Sequence, residues 1–386
     1  MWKTVKLGEA CLVRRGTTIT KKQTVEGEVP VIGGGTKPTY FHNESNRAAN
    51  CITVSGSGAS AGFVNKWEAP IFASDCSTIE PKDDTQLHQF VYYYLMFQQQ
   101  FIYDNFRSGA AQPHVYAKDI ETLDYPIVSL AEQQRIVAKL DAAFAEIDRA
   151  VELCQQKTLN AESIYANKLT QIFEEKDEDW TCCPLKEITS KIGSGATPKG
   201  GKAAYKEDGL SLIRSMNVYD MGFSWRELAK IDDEQAQKLS NVAVEENDVL
   251  LNITGASVAR CTVAPTDALP ARVNQHVAII RTDKTRLIPT LLAYGLVARI
   301  NKETLLGVGN NAGATRQAIT KRDIEEFVFS FPQKLDAQRH LVDEISSIKH
   351  ESRKLAEVYR KKHENLIALK SSILAQELQP PQSEAV

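Results

Sequence analysis

The side chains of this chain that could do chemistry are of the kind that recognise a surface, not the kind that break bonds. Thr254-Gly255-Ala256-Ser257 superficially suggests a nucleophile turn, but neither a G-x-S-x-G spacing nor a base accompanies it. Gly35-Thr36-Lys37 lacks the G-x-x-x-x-G-K-[ST] spacing of a phosphate loop. His42, His88, His114, His276, His340, His350 and His363 show no metal-ligand spacing. The seven cysteines are odd in number, scattered and without a C-x-x-C, which argues against zinc or disulfide frameworks and for a reducing cytoplasm. What remains is a set of polar residues on expected loops, of the types that hydrogen-bond base edges in a groove. In the first half these are Arg14, Arg15, Lys21, Lys22, Arg107, Gln112 and His114. In the second they are Lys199, Lys202, Arg214, Asn217, Asn310, Asn311, Arg316 and Gln317. Each can also be read as a solvated surface residue.

The glycine-rich segments Gly33-Gly34-Gly35 and Ser55-Gly56-Ser57-Gly58 permit positive φ and close backbone approach. They fit loops laid against a phosphate backbone, and equally tight turns between strands.

The elements that must position these residues are built twice. Lys118-Asp119-Ile120-Glu121 recurs 204 residues later as Arg322-Asp323-Ile324-Glu325, and each is followed by a proline, Pro126 or Pro332, and by a Gln-Arg pair, Gln134-Arg135 or Gln338-Arg339. A repeat this long means two copies of a domain-plus-helix unit. Two similar surfaces related by approximate symmetry suit a two-fold ligand, of which duplex DNA is the commonest. The stretches Phe106–His114 and Gly309–Gln317 occupy corresponding places before the helices, which implies a shared structural role and a candidate shared role on DNA.

Before residue 130, short β-type runs are punctuated by turns: Val29–Ile32, Cys51–Val54, Pro70–Phe72 and Ser77–Ile79, with a helical stretch near Leu87–Phe101. Ser129-Leu130-Ala131-Glu132 then spells a capping box, and neither Gly nor Pro follows until Pro184. Along that stretch Val137, Phe144, Val151, Thr158, Tyr165 and Ile172 recur every seven residues. Leu140, Ile147, Cys154, Ala161 and Lys168 form a second row, completing a coiled-coil seam. Residues 180–333 are again β-rich, with a helical patch near Pro289–Asn301. The next helix is expected to bury Leu341, Ile348, Leu355, Lys362 and Leu369 in one row, and Ile345, Ser352, Tyr359, Leu366 and Ile373 in the other. The charges between them, such as Glu351, Arg353 and Lys354, fit a solvated face, or alternatively a phosphate-binding patch. A helix of about 45 residues spans roughly 65 Å, and an apolar seam of that length needs a partner. Antiparallel pairing within the chain satisfies both helices, and homodimerisation is the alternative.

Composition sets the outer bounds. A chain of 386 residues fits two domains plus connectors, and 42% hydrophobic residues suffice for real cores. No apolar run approaches the ~18 residues of a membrane span, and the N-terminus does not read as a signal peptide. The net charge of -3 counts against a simple tight nucleic-acid binder, unless partners supply the positive field.

The order of motifs resembles that of type I restriction-modification DNA specificity subunits, over essentially the whole chain. In the first half the resemblance rests on Trp2-x-x-Val5-x-Leu7-Gly8, Val29–Gly35, Val54–Gly58 with Ala61-Gly62-Phe63, and Ser74-Asp75-Cys76. In the second it rests on Trp180-x-x-x-Pro184-Leu185, Gly193–Pro198, Ile213-Arg214-x-x-Asn217-Val218, Asp248–Leu251, Ile253–Arg260 and Val273-Asn274-Gln275-His276. Ala259 stands where that family often has Gly before the Arg.

The resemblance implies a mixed α/β (α+β) fold in which two β-rich target-recognition domains are separated by two long antiparallel helices. It places the first domain at 1–129, the central helix at 130–176, the second domain at 177–333, the C-terminal helix at 334–378 and an unstructured tail at 379–386. It further implies a chain with no catalysis of its own, each domain reading half of a bipartite double-stranded DNA target. The helices 130–176 and 334–378 would be the partner-binding surfaces for two methyltransferase subunits, with restriction subunits in the full complex. S-adenosylmethionine, ATP and Mg would be carried by those partners, and no metal by this chain. A methyltransferase-only system is an open alternative. A coiled-coil adapter with no DNA role would explain the helices but leave two elaborate domains unused, and an enzyme acting alone lacks the catalytic groups.

Overall fold

The computed structural model describes residues 2–109, 111–176, 178–198, 200–307 and 318–379, without the side chain of Lys202. The chain divides into two compact units, Met1–Gln155 with Arg360–Val386, and Gln156–Tyr359. Each long helix therefore contributes one part to each unit.

In the first unit, four antiparallel strands lie in the order Cys11–Arg15, Cys76–Pro81, Cys51–Ser55, Val64–Trp67. Every residue of the central Cys51–Ser55 strand is buried, which is why it reads as a continuous β-branched and small run and not as an alternation. A second sheet orders Tyr40–His42, Val29–Ile32 and Phe72–Ala73. The strand Lys3–Lys6 pairs with Asp124–Ile127, which feeds the first long helix, Leu130–Glu174. The core gathers Leu7, Ile52, Ile79, Phe90, Leu95 and Tyr125 around Ile136, Leu140 and Phe144 of that helix and Leu374 of the second.

The second unit repeats the plan. Thr189–Ser194, Val277–Thr282, Val249–Asn252 and Cys261–Val263 make the equivalent four-stranded sheet. Its second sheet, of four strands, orders Ala229–Ile231, Leu210–Ile213, Ala271–Val273 and Ala243–Val244. Trp180–Pro184 pairs with Val328–Pro332, which feeds the second long helix, Leu335–Leu378. Near the end of the inner strand Val277–Thr282, Arg281 grips the fully buried Asp248 through two bonds, Nε–Oδ1 at 2.7 Å and Nη2–Oδ2 at 2.8 Å.

Each helix is tied to its domain by one buried glutamine. Gln133 accepts the Leu87 N–H at 2.7 Å and donates to the carbonyls of Val128 at 2.8 Å and Thr85 at 2.9 Å. Gln338 accepts the Ile288 N–H at 2.9 Å and donates to Pro332 and Arg286, both at 2.8 Å. The sequence repeat paired Gln134 with Gln338; the hydrogen bonds pair Gln133 with it instead. The strand that feeds the helix is one residue longer in the second copy, Val328–Pro332 against Asp124–Ile127, and a constant displacement hides it.

The first helix buries the seam its heptads predict: Leu140, Phe144, Ile147, Cys154 and Ala161 are buried, and Val137, Val151, Thr158, Tyr165, Lys168 and Ile172 half-buried. The second helix buries one of its two expected rows throughout and the other only at its start, where Leu341 and Ile348 are half-buried. Ile345 and Ser352 are buried and Tyr359, Leu366 and Ile373 half-buried, but Leu355, Lys362 and Leu369 face solvent. The companion row is Lys349, Ala356, His363, Lys370 and Glu377, of which only Ala356 is a small apolar residue.

The polar members of that row bury their stems and bond at their tips. In the first unit Lys370 lies 4.6 Å from the Phe144 ring centre and bonds Asp148 at 2.7 Å. Glu377 takes Lys139 at 2.6 Å and Arg135 at 3.4 Å, and Gln155 meets His363 at 3.3 Å. Contacts 135–377, 148–370 and 155–363 run in opposite senses, so the helices are antiparallel there. In the second unit the Ser352 hydroxyl donates to the Ala161 carbonyl, and Lys349 donates to Met221 O at 2.8 Å. The seam's partner is the same chain's other helix. Among the described residues no helix is long and apolar enough to cross a membrane.

Candidate nucleic-acid interface

The end of each central strand opens into the same hydrogen-bonded loop. In the first unit Ser55 N–H donates to Phe63 O at 3.0 Å, Gly62 N–H to Ser55 O at 2.7 Å, and Ala61 N–H to Gly58 O at 3.0 Å. In the second, Asn252 N–H donates to Arg260 O and Ala259 N–H to Asn252 O, both at 2.8 Å, and Val258 N–H to Gly255 O at 3.0 Å. Gly58 and Gly255 share the left-handed region at φ 79° and 78°, and so do Gly62 at 84° and Ala259 at 64°. Positions 62 and 259 thus share a conformation that favours glycine, which Ala259 adopts at a cost.

A neighbouring strand docks on each loop in the same way. Gly56 N–H donates to Asp75 O at 2.9 Å, and Ile253 N–H to His276 O at 3.0 Å. On the other side Val115 N–H reaches Gly56 O at 3.0 Å and Ile319 N–H reaches Ile253 O at 2.8 Å. These bonds make Asp75 and His276 equivalent positions. The Ser57 hydroxyl donates to the Asp75 carboxylate, while Thr254 Oγ1 lies 2.6 Å from His276 Nδ1.

Around the first loop, Arg15, Asp75, His114 and Tyr116 line one small cleft. The rings of His114 and Tyr116 stack, 6.1 Å apart at 11°, and Tyr116 is exposed. Arg107 is a strut: its Nε donates to Ala61 O at 2.7 Å and its guanidinium lies 3.8 Å from the Tyr103 ring centre. Gln112 is exposed, and its carbonyl lies 2.8 Å from His114 Nδ1. Arg14 is exposed and 3.7 Å from Glu80, while Lys21 and Lys22 are exposed on a short turn capped by Thr20.

Around the second loop, Met216, Tyr219, Thr254, Ser257, Arg260 and His276 line a wider cleft. The Arg260 guanidinium lies 4.7 Å from the Tyr219 ring centre. The hairpin carrying Tyr219 is held from below: Lys302 bonds Asp220 at 2.6 Å, and Lys349 bonds Met221 O. Burial, with Arg353 nearby, pulls the Lys349 ammonium down to about 8.

Two expected site residues have structural places here. Asn217 is fully buried, and its amide donates to Ser224 O at 2.9 Å and Arg226 O at 3.3 Å, so it cannot reach a base edge. Arg214 donates to Glu227 O, its guanidinium lies 5.2 Å from the Tyr205 ring centre, and its Nε is buried without a partner. Lys202 lies on the short turn Gly201–Ala204. Lys199, Asn310, Asn311, Arg316 and Gln317 lie outside the described residues.

Reasoning on residue type missed Ser57, Asp75, Tyr116, Tyr219, Thr254, Arg260 and His276. Most sat inside the motifs that carry the family resemblance, so the signal was present but attached to no role. Burial pushes the thiols of Cys76, which lines the first cleft, and of Cys11 up to about 12. Among the described residues no His, Cys, Asp and Glu group could hold a metal ion.

Residues 1–156 match the type I restriction modification DNA specificity domain. The chain is 23% identical over 295 residues to the type I restriction enzyme EcoBI specificity subunit of Escherichia coli, covering 70% of this chain but only 60% of that protein's length. It is 24% identical over 304 residues to the putative type I restriction enzyme MjaX specificity subunit of Methanocaldococcus jannaschii, covering 71% of this chain and 67% of that one. The fold matches a chain from a study of complex assembly and conformational transition of the type I R-M system, with TM-score 0.74, 19% identity and 97% of both chains covered. It also matches the HsdS subunit from Thermoanaerobacter tengcongensis, with TM-score 0.56, 19% identity, and 97% and 96% covered. In its N-terminal domain, in its curated relatives and in its fold, the chain is similar to type I restriction-modification DNA specificity subunits.

Proposed function

We propose that this chain is the non-catalytic DNA-reading subunit of a type I restriction-modification complex and reads a bipartite target, one half with each unit. The observation that carries this reading is the duplicated loop: an identical hydrogen-bonded frame in both units, surrounded by side chains that differ. A shared frame with diverged clefts suits two half-sites of one duplex that differ in sequence.

The long helices then have two jobs. They set the distance between half-sites, and they dock two methyltransferase subunits that bring S-adenosylmethionine and flip the target adenine. Restriction subunits using ATP and Mg complete the nuclease in the cytoplasm. The net charge of -3 fits a reader whose partners supply much of the phosphate contact, so the isolated chain binds DNA weakly.

The decisive experiment maps methylated adenines genome-wide in cells with and without the gene. A bipartite motif that disappears with the gene is the expected result. A methylome unchanged by deletion in an active system overturns the proposal.

A further inference from the structure

Resting on the reading above, we propose that the hydroxyl–side-chain pairs Ser57–Asp75 and Thr254–His276 are equivalent base-reading elements in the major groove, and that Asp75 selects a base that presents an exocyclic amino group there, cytosine or adenine. Backbone bonds on both sides of each pair fix the equivalence, since Gly56–Asp75 and Gly56–Val115 match Ile253–His276 and Ile253–Ile319. The frame is constant while the side chain it presents changes from an acid to an imidazole. Residues that determine specificity are expected to vary in this way, and residues that only hold a loop are not.

The chemistry of the first pair narrows its partner. Among the described residues, Ser57 alone hydrogen-bonds the Asp75 side chain. A carboxylate offers about four acceptor sites, so most of its capacity is unused. Asp75 is half-buried in a cleft beside the exposed Tyr116 ring and Arg15. Phosphate repels a carboxylate, so this group does not mark a backbone contact. The major-groove edges that donate are the N4 amino group of cytosine and the N6 amino group of adenine. Guanine and thymine present carbonyl oxygens at the corresponding place, and two acceptors facing each other make no hydrogen bond.

The second pair has a different vocabulary. Thr254 lies at Nδ1 of His276, and Gln275 Nε2 lies 3.3 Å from its Nε2. The exposed Gln275 amide carries both donor and acceptor atoms, as does the imidazole beside it. This site therefore does not share the amino-group requirement of the first.

The test maps the methylated motif in cells carrying the chain with its methyltransferase, for wild type, Asp75→Asn, Asp75→His, His276→Asp and Ser57→Ala. Asp75→Asn and Asp75→His are expected to relax or change one position in one half of the motif by at least tenfold in occupancy, leaving the other half unaltered. His276→Asp is expected to alter one position in the opposite half, and Ser57→Ala the same position as the Asp75 variants. Thermal unfolding of each purified variant separates misfolding from altered reading, and any one variant that folds suffices. Variants that fold as wild type yet keep the wild-type motif, or lose methylation without relaxing any single position, overturn the inference alone. A wild-type motif that does not depend on this chain overturns the parent reading and the inference with it.

Discussion

Gln133 donates its side-chain amide to the carbonyl of Val128 at 2.8 Å, from a position with no solvent exposure, five residues after the strand–helix junction. The same amide also accepts Leu87 N–H and donates to Thr85 O, so one side chain fastens the long helix to the domain it leaves. Gln133→Leu removes all three bonds and strands one N–H and two carbonyls, which should cost about 3 kcal/mol. Gln338→Leu should cost a similar amount through Ile288, Arg286 and Pro332. Urea unfolding measures the loss, and hydrogen exchange should localise it to residues 85–88 in one variant and 286–289 in the other. Equal exchange changes in both units for either variant would contradict the assignment.

The Arg281–Asp248 pair makes a sharper demand on the second unit. Asp248 has no solvent exposure, and Arg281 holds it by two bonds while also contacting Glu245. Asp248→Ala leaves the guanidinium facing a hole in place of a carboxylate, which should cost about 3–5 kcal/mol. A double Asp248→Leu, Arg281→Met variant should recover most of it, because the pair is then replaced and not broken. Midpoints of denaturant unfolding for the two variants check the ordering.

The left-handed position in each loop predicts unequal responses to one methyl group. Gly62 sits at φ 84°, and a Cβ built on it would lie 2.9 Å from Ile102 Cγ2. Gly62→Ala should therefore cost about 2 kcal/mol from backbone strain and contact. Ala259 already occupies that region at φ 64°, fully buried. Ala259→Gly removes roughly 1 kcal/mol of strain and loses a similar amount in buried methyl and chain entropy, so stability should change little. Ala259→Val should fail on both counts. Thermal melts of the three variants give the comparison.

Lys349 predicts a pH dependence of stability. Its folded value of about 8 lies below its ordinary 10.5, so between those values the unfolded chain binds more protons. Stability contributed by this group therefore rises as pH increases through that window, and below about 8 the buried charge is a constant penalty. Lys349→Met should remove the rise, seen as a urea midpoint that stays flat where that of wild type gains from pH 8 to 10. A wild type and variant with parallel profiles would show that the ammonium is solvated.

How much of this was legible beforehand differs between spacing and role. The heptads located both long helices because Val137, Leu140, Phe144 and Ile147 repeat with no break, and burial enforces that period. They misplaced one row of the second helix from Leu355 onward because Lys349, His363, Lys370 and Glu377 bury stems while bonding at their tips, and a count of apolar letters cannot see a stem. Asn217 looked like a free amide in a loop, yet the loop is a tight turn that uses the amide to satisfy its own carbonyls. Asp75 and His276 were visible as letters in motifs, but their equivalence needs the strand pairings that bring residue 56 to 75 and residue 253 to 276.

The misread row has a consequence for partner docking. Leu355 and Val358 are one helical turn apart and 40% and 56% exposed, instead of filling the seam as Leu355 was expected to. Side chains three apart share a face, so the two form a small apolar patch on the second helix. If the helices carry the methyltransferase subunits, burying this pair contributes a few kcal/mol, at ~1.5–3 kcal/mol for each fully covered side chain. Replacing both by Lys should leave the melting temperature within about 2 °C, since neither supports the core. Capture of the methyltransferase subunit by the purified variant should fall at least tenfold, equivalent to ~1.4 kcal/mol. Ser352→Ala, on the buried side of the same helix, should show the reverse: a lower melting temperature and, for chain that remains folded, unchanged capture. Undiminished binding by the Leu355→Lys, Val358→Lys chain would move the docking surface off this face of the helix.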